Sequence, residues 1–127
     1  MVGDEYYPDH LLPVIREQEV RYRRFAELRE QVLLEYGYNT ARAYWGDLED
    51  VFRWAVERDK DVLALTEKDV KQYIALLRRR KYSHNTIRRH VTTLRKLYDE
   101  LISRGHRNDN PAKRVIVTSV ATKPNAV

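Results

Sequence analysis

The chain has 127 residues, of which 43% are hydrophobic, so it has room for one compact core plus tails. It holds no cysteine, no apolar run near the roughly 18 residues of a membrane span, and no basic start followed by an apolar region. The sequence therefore excludes a disulfide framework and a thiolate zinc site, and it favours a cytoplasmic protein with no membrane partner.

Proline placement and residue patterning predict an all-α fold. Residues 14–110 contain no proline, and no segment alternates apolar and polar residues as a half-buried strand does. We expect residues 1–12 to form a flexible N-terminal arm, residues 13–114 a helical domain, and residues 115–127 a linker without packing partners.

The first two predicted helices carry apolar stripes. Pro13 suits a first helical turn, and the helix is predicted to run to Tyr36, with Gly37 ending it. Asn39 is a favourable N-cap and predicts a second helix that reaches about Arg58. The stripes are Phe25, Leu28, Val32 and Tyr36 in the first helix, and Tyr44, Leu48, Val51, Phe52 and Ala55 in the second.

The middle of the chain contains one residue that weakens a helix and one signal that starts one. Gly46 lies inside the second predicted helix and costs about 1 kcal/mol relative to alanine, so we expect another element to pack closely against it. Thr66 with Asp69 three residues later resembles a capping box and predicts a third helix. Its apolar positions are Val70, Tyr73, Ile74 and Leu77, and it ends in the basic run Arg78, Arg79, Arg80 and Lys81.

The segment from Ser83 to Gly105 predicts a fourth helix with its own start and stop signals. Ser83 can accept a hydrogen bond from a backbone N–H of the first turn, and Gly105 can adopt the left-handed conformation that ends a helix. Apolar residues recur between them at spacings of three and four, at Ile87, Val91, Leu94, Tyr98 and Leu101.

The other face of this fourth helix is basic and polar. It consists of Arg88, Arg89, Thr92, Arg95 and Lys96, and its first turn is His84, Asn85 and Thr86. Between Arg78 and Arg114 there are twelve basic residues and only three acidic ones, so the net charge of +5 conceals a strongly basic half. Such a surface is typical of phosphate binding, and this residue set is typical of a helix that enters a DNA major groove.

An ordered series of residues across these helices resembles a known family. The series is Asn39-Thr40, Ala43-Tyr44, Asp47-Leu48, Phe52, Trp54, Asn85-Thr86-Ile87, Leu94, Leu97-Tyr98 and Asn110-Pro111-Ala112. Over roughly residues 14–114 it resembles the core-binding, N-terminal SAM-like domain of tyrosine recombinases, the phage integrase and Xer family.

The resemblance implies a compact four- to five-helix SAM-like bundle that forms one half of a clamp around a recombination half-site. The implied partners are double-stranded DNA and other recombinase protomers, and the bound protein would be associated with the nucleoid. In that family the second and fourth helices face the DNA. This nominates Asn39, Thr40 and Arg42 on the second helix, beside His84, Asn85, Thr86, Arg88, Arg89, Thr92 and Arg95 on the fourth.

The resemblance assigns catalysis to a C-terminal domain that the linker at residues 115–127 would lead to. None of the four histidines begins the family's His-x-x-Arg pattern. We therefore expect no catalytic residue, metal, cofactor or small-molecule substrate in this chain, which would be a fragment of a longer recombinase. A small enzyme has little support, because no metal-spaced cluster or glycine-rich phosphate loop is present.

A second interpretation stays open at this point. The same basic face would suit a helical protein-interaction module that binds an acidic partner. Salt-sensitive binding to a preferred duplex would favour the DNA interpretation, whereas indifference to DNA would favour the protein partner.

Overall fold

The computed structural model describes residue 10 and residues 12–118, and every regular element within that part is helical. The elements are α1 (Leu12–Leu33), α2 (Tyr38–Glu57), a 3-10 turn (Val62–Ala64), α3 (Glu67–Arg79) and α4 (His84–Ser103). The predicted all-α fold is confirmed. The rest of the predicted arm and residues 119–127 of the predicted linker lie outside the described residues.

The helix ends of α3 and α4 form as their local chemistry predicts. Thr66 Oγ1 accepts from the Asp69 N–H at 3.1 Å, and Asp69 Oδ2 accepts from the Thr66 N–H at 2.9 Å, which completes the capping box. Ser83 Oγ accepts from the Thr86 N–H at 3.1 Å. Gly105, with φ of 72°, follows the end of α4 in the left-handed region.

The junction between α1 and α2 differs from the prediction. The first helix ends at Leu33 rather than Tyr36, and Gly37 begins the next helix instead of ending this one. Gly37 is the N-cap of α2, with its carbonyl accepting from the Ala41 N–H at 2.9 Å, so the predicted cap at Asn39 is wrong. Asn39 lies in the first turn and is exposed.

The core forms where α4 meets all three other helices. Each residue of the apolar stripes predicted for α3 and α4 is buried, and so are Phe25, Leu28 and Val32 of α1. In α2 the buried set includes Trp54 and Asp47, which the predicted stripe omitted, while Tyr44 and Phe52 are only half-buried. The large contact area of α4 explains why its stripe is the widest of the four.

The chain after α4 packs back onto the bundle. The Arg107 guanidinium donates to the backbone carbonyls of Leu63, at 2.9 Å, and Leu65, at 2.6 Å. Ala112 and Val115 are buried in the core. The absence of packing predicted from residue 115 onward is therefore wrong at Val115, because the domain's core includes it.

Truncation of the α4 stripe tests this core. Leu94 is 2% exposed, so Leu94→Ala should lower the free energy of unfolding by about 2 to 5 kcal/mol, through lost burial and the cavity left behind. Urea denaturation followed by circular dichroism measures the change. Leu34→Ala is the matched control, because Leu34 is 74% exposed; equal stability of the two variants would contradict the packing.

Candidate nucleic-acid interface

A groove runs between α2, along residues 39–53, and the N-terminal half of α4. One face of α2 supplies residues at helical spacing, α4 supplies three residues, and Tyr82 closes one end from the connection between α3 and α4. Its lining consists of Asn39, Arg42, Ala43, Gly46, Asp47, Asp50, Arg53, Tyr82, Thr86, Arg89 and His90.

The floor of the groove is a buried carboxylate. Asp47 is 4% exposed, and its two oxygens accept from Arg89 Nε at 2.8 Å and Arg89 Nη2 at 2.7 Å. The Thr93 hydroxyl lies 3.2 Å from Asp47, and His90 Nε2 lies 3.3 Å away. A buried charge is tolerated when it is paired and hydrogen-bonded, as this one is. The hydrogen bonds to Asp47 in turn raise the pKa of Arg89.

A second carboxylate of the groove is also paired. Asp50 accepts from the Tyr73 hydroxyl and from Arg80 Nη1, at 3.1 and 3.2 Å to its two oxygens. Burial, and next the bond to Asp50, raise the pKa of the Tyr73 hydroxyl, which therefore remains a donor. Both acidic residues of the lining are thus compensated by an arginine.

The remaining arginines of this surface have no such partner. Arg42, Arg53 and Arg88 are exposed, and none forms an ion pair or hydrogen bond with the part of the chain that the structure describes. With the acids compensated, the groove and its rim present uncompensated positive charge to solvent.

The structure brings together four of the residues that the sequence nominated for DNA. Asn39 and Arg42 from α2 and Thr86 and Arg89 from α4 line one groove. Among the others, Thr40, Asn85 and Arg88 are exposed and His84 and Thr92 are half-buried, outside the lining.

Sequence reasoning missed four residues that line the groove, Asp47, Asp50, Arg53 and Tyr82. The spacing 39, 42, 46, 50 and 53 would have found Asp50 and Arg53, because it is one face of a helix.

Arg95 serves a structural task near the middle of α4. Its Nε donates to the Ala112 carbonyl at 3.0 Å and its Nη2 to the Val115 carbonyl at 2.6 Å. Asn110 reinforces the contact by donating to the Arg95 carbonyl at 3.0 Å. Two of the five N–H groups of Arg95, a residue that the sequence interpretation directed at DNA, thus hold the C-terminal segment.

Lys96 also faces protein. Its ammonium lies 4.9 Å from the centre of the Tyr36 ring, and that ring packs edge-on against Tyr44. Together with Arg95, this contact covers the C-terminal half of the basic face of α4. The open part of the face is its N-terminal half, beside the groove.

Gly46 lies on the groove rather than at a packed contact. A Cβ placed on it would meet no atom within 4 Å, so the close packing expected around this glycine is wrong. Since nothing fills the space, the groove is open at this point of α2.

The described residues hold neither a cluster of metal-ligating side chains nor a membrane-spanning helix. Across residues 10 and 12–118, no three histidine, aspartate or glutamate side chains are grouped so as to hold a metal ion. No helix in that part is both long and apolar enough to cross a bilayer.

The fold and the groove define a helical bundle with a basic surface formed by two helices. The family model of the phage integrase N-terminal SAM-like domain matches residues 26–105. The chain belongs to this family, as the resemblance in its sequence indicated. Searches of curated proteins and of solved structures found no match.

The role of Arg95 can be tested by its effect on stability. Arg95→Ala should lower the free energy of unfolding by about 1.5 to 3 kcal/mol, because two backbone carbonyls lose a charged donor. Arg88→Ala is the control on the same helix and should change stability by less than about 0.5 kcal/mol, because its side chain is exposed. Identical urea midpoints for the two variants would show that Arg95 does not fasten the C-terminal segment.

Gly46→Ala tests the open space on α2. The added methyl group meets no neighbour, and alanine is the better helix former, so the variant should be more stable by about 1 kcal/mol. The measurement is the thermal midpoint by calorimetry. A loss of stability would mean that the site is packed after all.

Proposed function

We propose that this chain is the DNA-binding domain of a site-specific tyrosine recombinase or integrase, which grips a recombination half-site as one half of a clamp. Membership of the phage integrase SAM-like family supports the link to recombination. The surface between α2 and α4 supports the contact with DNA.

One observation carries the proposal. Residues nominated from two helices far apart in sequence, Asn39 and Arg42 on α2 with Thr86 and Arg89 on α4, line a single groove. Amide, hydroxyl and guanidinium groups are the side chains that most often contact phosphates and base edges. A groove that combines them, with its acids paired, suits a polyanion.

The helix ends add to this electrostatic field. Asn39 lies in the first turn of α2 and Thr86 in the first turn of α4, so two helix N-termini lie beside the groove. The N-terminus of a helix carries partial positive charge and free backbone N–H groups, both of which favour phosphate. Arg88, one turn into α4, extends the same surface.

The proposal assigns strand cleavage to a separate catalytic domain of the parent recombinase. Within the parent recombinase, the present chain binds the DNA half-site and positions it. It cooperates with other protomers, in the cytoplasm and on the nucleoid. The residues proposed to contact DNA are Asn39, Thr40, Arg42, His84, Asn85, Thr86, Arg88, Arg89 and Thr92. Arg95 and Lys96 are left out because their side chains contact the C-terminal segment and Tyr36, and neither lines the groove.

A protein-interaction module remains the second candidate, and one observation favours it. Leu34, Tyr38 and Trp45 are exposed by 74%, 77% and 43% and lie side by side along a shallow depression that shares Arg42 with the groove. The depression itself contains Glu30 as well as Arg42, so its basic side is the groove that it adjoins. Exposed apolar side chains next to that groove suit a protein partner that is acidic and partly apolar.

Binding to duplex DNA is tested by its salt dependence. The preferred duplex is first selected from a random pool, and its binding is then titrated between low and physiological salt by fluorescence anisotropy. Arg42→Ala combined with Arg88→Ala should lower the slope of log K against log salt by about 1.8, because each lost phosphate contact contributes about 0.9.

Arg23→Ala combined with Arg24→Ala is the matched control. These exposed arginines lie on α1, outside the groove, and their loss changes the net charge equally. Equal slopes for the two double variants would contradict the proposed surface. Absence of duplex binding by the wild-type chain at low salt would favour the protein partner.

A further inference from the structure

We propose that Asp47 is a positioning residue that holds Arg89 so that its outer pair of N–H groups reads a guanine in the major groove. This inference rests on the proposed function, and it goes further by separating base recognition from phosphate binding within one helix. It makes the sequence preference of Arg89, on α4, depend on the buried carboxylate of Asp47, on α2.

The geometry of the ion pair determines which donors of Arg89 remain. Asp47 accepts hydrogen bonds from Arg89 Nε, at an N···O distance of 2.8 Å, and from Arg89 Nη2, at 2.7 Å. These two N–H groups form the side edge of the guanidinium. Arginine carries five N–H groups, so both Nη1 hydrogens and the second Nη2 hydrogen remain. One Nη1 hydrogen and that Nη2 hydrogen form the end of the fork, directed away from Asp47.

The free end of the fork is accessible. The Arg89 side chain is 41% exposed, although the carboxylate that holds it is 4% exposed, and it lines the groove. The charged head therefore spans from the buried floor to solvent. A ligand in the groove would meet an arginine whose orientation is already set.

The support for Arg89 is itself rigid. Asp47 lies on α2 and Arg89 on α4, and both helices belong to the core contact. Asp47 is further held by the Thr93 hydroxyl, which donates to it at 3.2 Å. A free arginine loses much rotamer entropy when it binds, whereas one already held in place loses less.

Guanine is the base that matches two parallel N–H donors. It presents N7 and O6 as adjacent acceptors in the major groove, and the end of an arginine fork binds both at once. A phosphate also accepts two such bonds, but every nucleotide carries one, so that contact would give no preference.

Arg88 provides the contrast within the same turn. It is exposed and has no hydrogen-bond partner in the described part of the chain, so its side chain is free to follow a phosphate. Arg89 is fixed by Asp47. Arg88 would thus contribute salt-dependent affinity for the duplex, and Arg89 would contribute the preference for guanine.

The test starts from the preferred duplex selected from a random pool. Each guanine is replaced in turn by 7-deazaguanine, which lacks the N7 acceptor, and separately by adenine. With wild-type protein, one position should lose roughly tenfold in affinity on either replacement. With Arg89→Ala, replacement at that position should have no effect, which identifies it as the contact.

Asp47→Asn tests the positioning role. The variant should lose about tenfold in preference for guanine over adenine at that position, while its affinity for random duplex is kept or raised. Glu49→Gln is the matched control, because Glu49 also lies on α2 and pairs with an arginine, Arg29, but does not line the groove. It should keep the preference.

Arg89→Lys is the second variant, in case Asp47→Asn fails to fold. It keeps a cation beside Asp47 but removes the two-pronged fork, so it should lose the guanine preference and keep the salt slope. Circular dichroism checks the fold of each variant. The ¹⁵N spectrum of wild-type protein should show a slowly exchanging Arg89 Nε hydrogen that exchanges quickly in Asp47→Asn.

The outcomes separate this inference from the proposed function. One outcome is salt-dependent duplex binding in which Arg89→Lys, or a folded Asp47→Asn, keeps the guanine preference. That result would overturn the positioning role and leave DNA binding in place. The same holds if binding shows no guanine preference. Failure of wild-type protein to bind any duplex would overturn both.

Discussion

The buried ion pair between Asp47 and Arg89 is the interaction on which the rest of this surface depends. It joins α2 to α4 across 42 positions of sequence, with the carboxylate almost fully removed from water. Loss of Arg89 would leave the buried carboxylate of Asp47 without its charge partner, which is far more costly than never having buried the pair. The pair ties α2 to α4 at the floor of the groove that both helices line.

The sequence predicted those parts of the fold whose causes are local. The capping box of Thr66 and Asp69, the cap at Ser83 and the stop at Gly105 each involve atoms within a few residues of one another, so their chemistry is visible in the sequence. The stripes of α3 and α4 were visible for the same reason. The junction of α1 and α2 was not, because Gly37 and Asn39 are both competent caps and the choice between them depends on how the two helices pack.

The site was predictable only in part, and the limit has a physical origin. A helical face shows which side chains of α4 point the same way, but not what covers them. Tyr36 covers Lys96 and the carbonyls of Ala112 and Val115 cover Arg95, and all three lie far from α4 in sequence or beyond its end. Asp47 appeared in the sequence only within the series that resembles the family, and its contacts with Thr93 and Arg89 are visible only in the folded chain.

The C-terminal segment held by Arg95 has a mechanical consequence. A pull on the chain beyond residue 118 would reach the bundle through Val115, whose side chain is in the core and whose carbonyl accepts from Arg95. The load would enter the middle of α4 and would not peel the helix from its end at Ser103. Such an anchor transmits a pull on the C-terminal segment directly to the helix whose N-terminal half borders the groove.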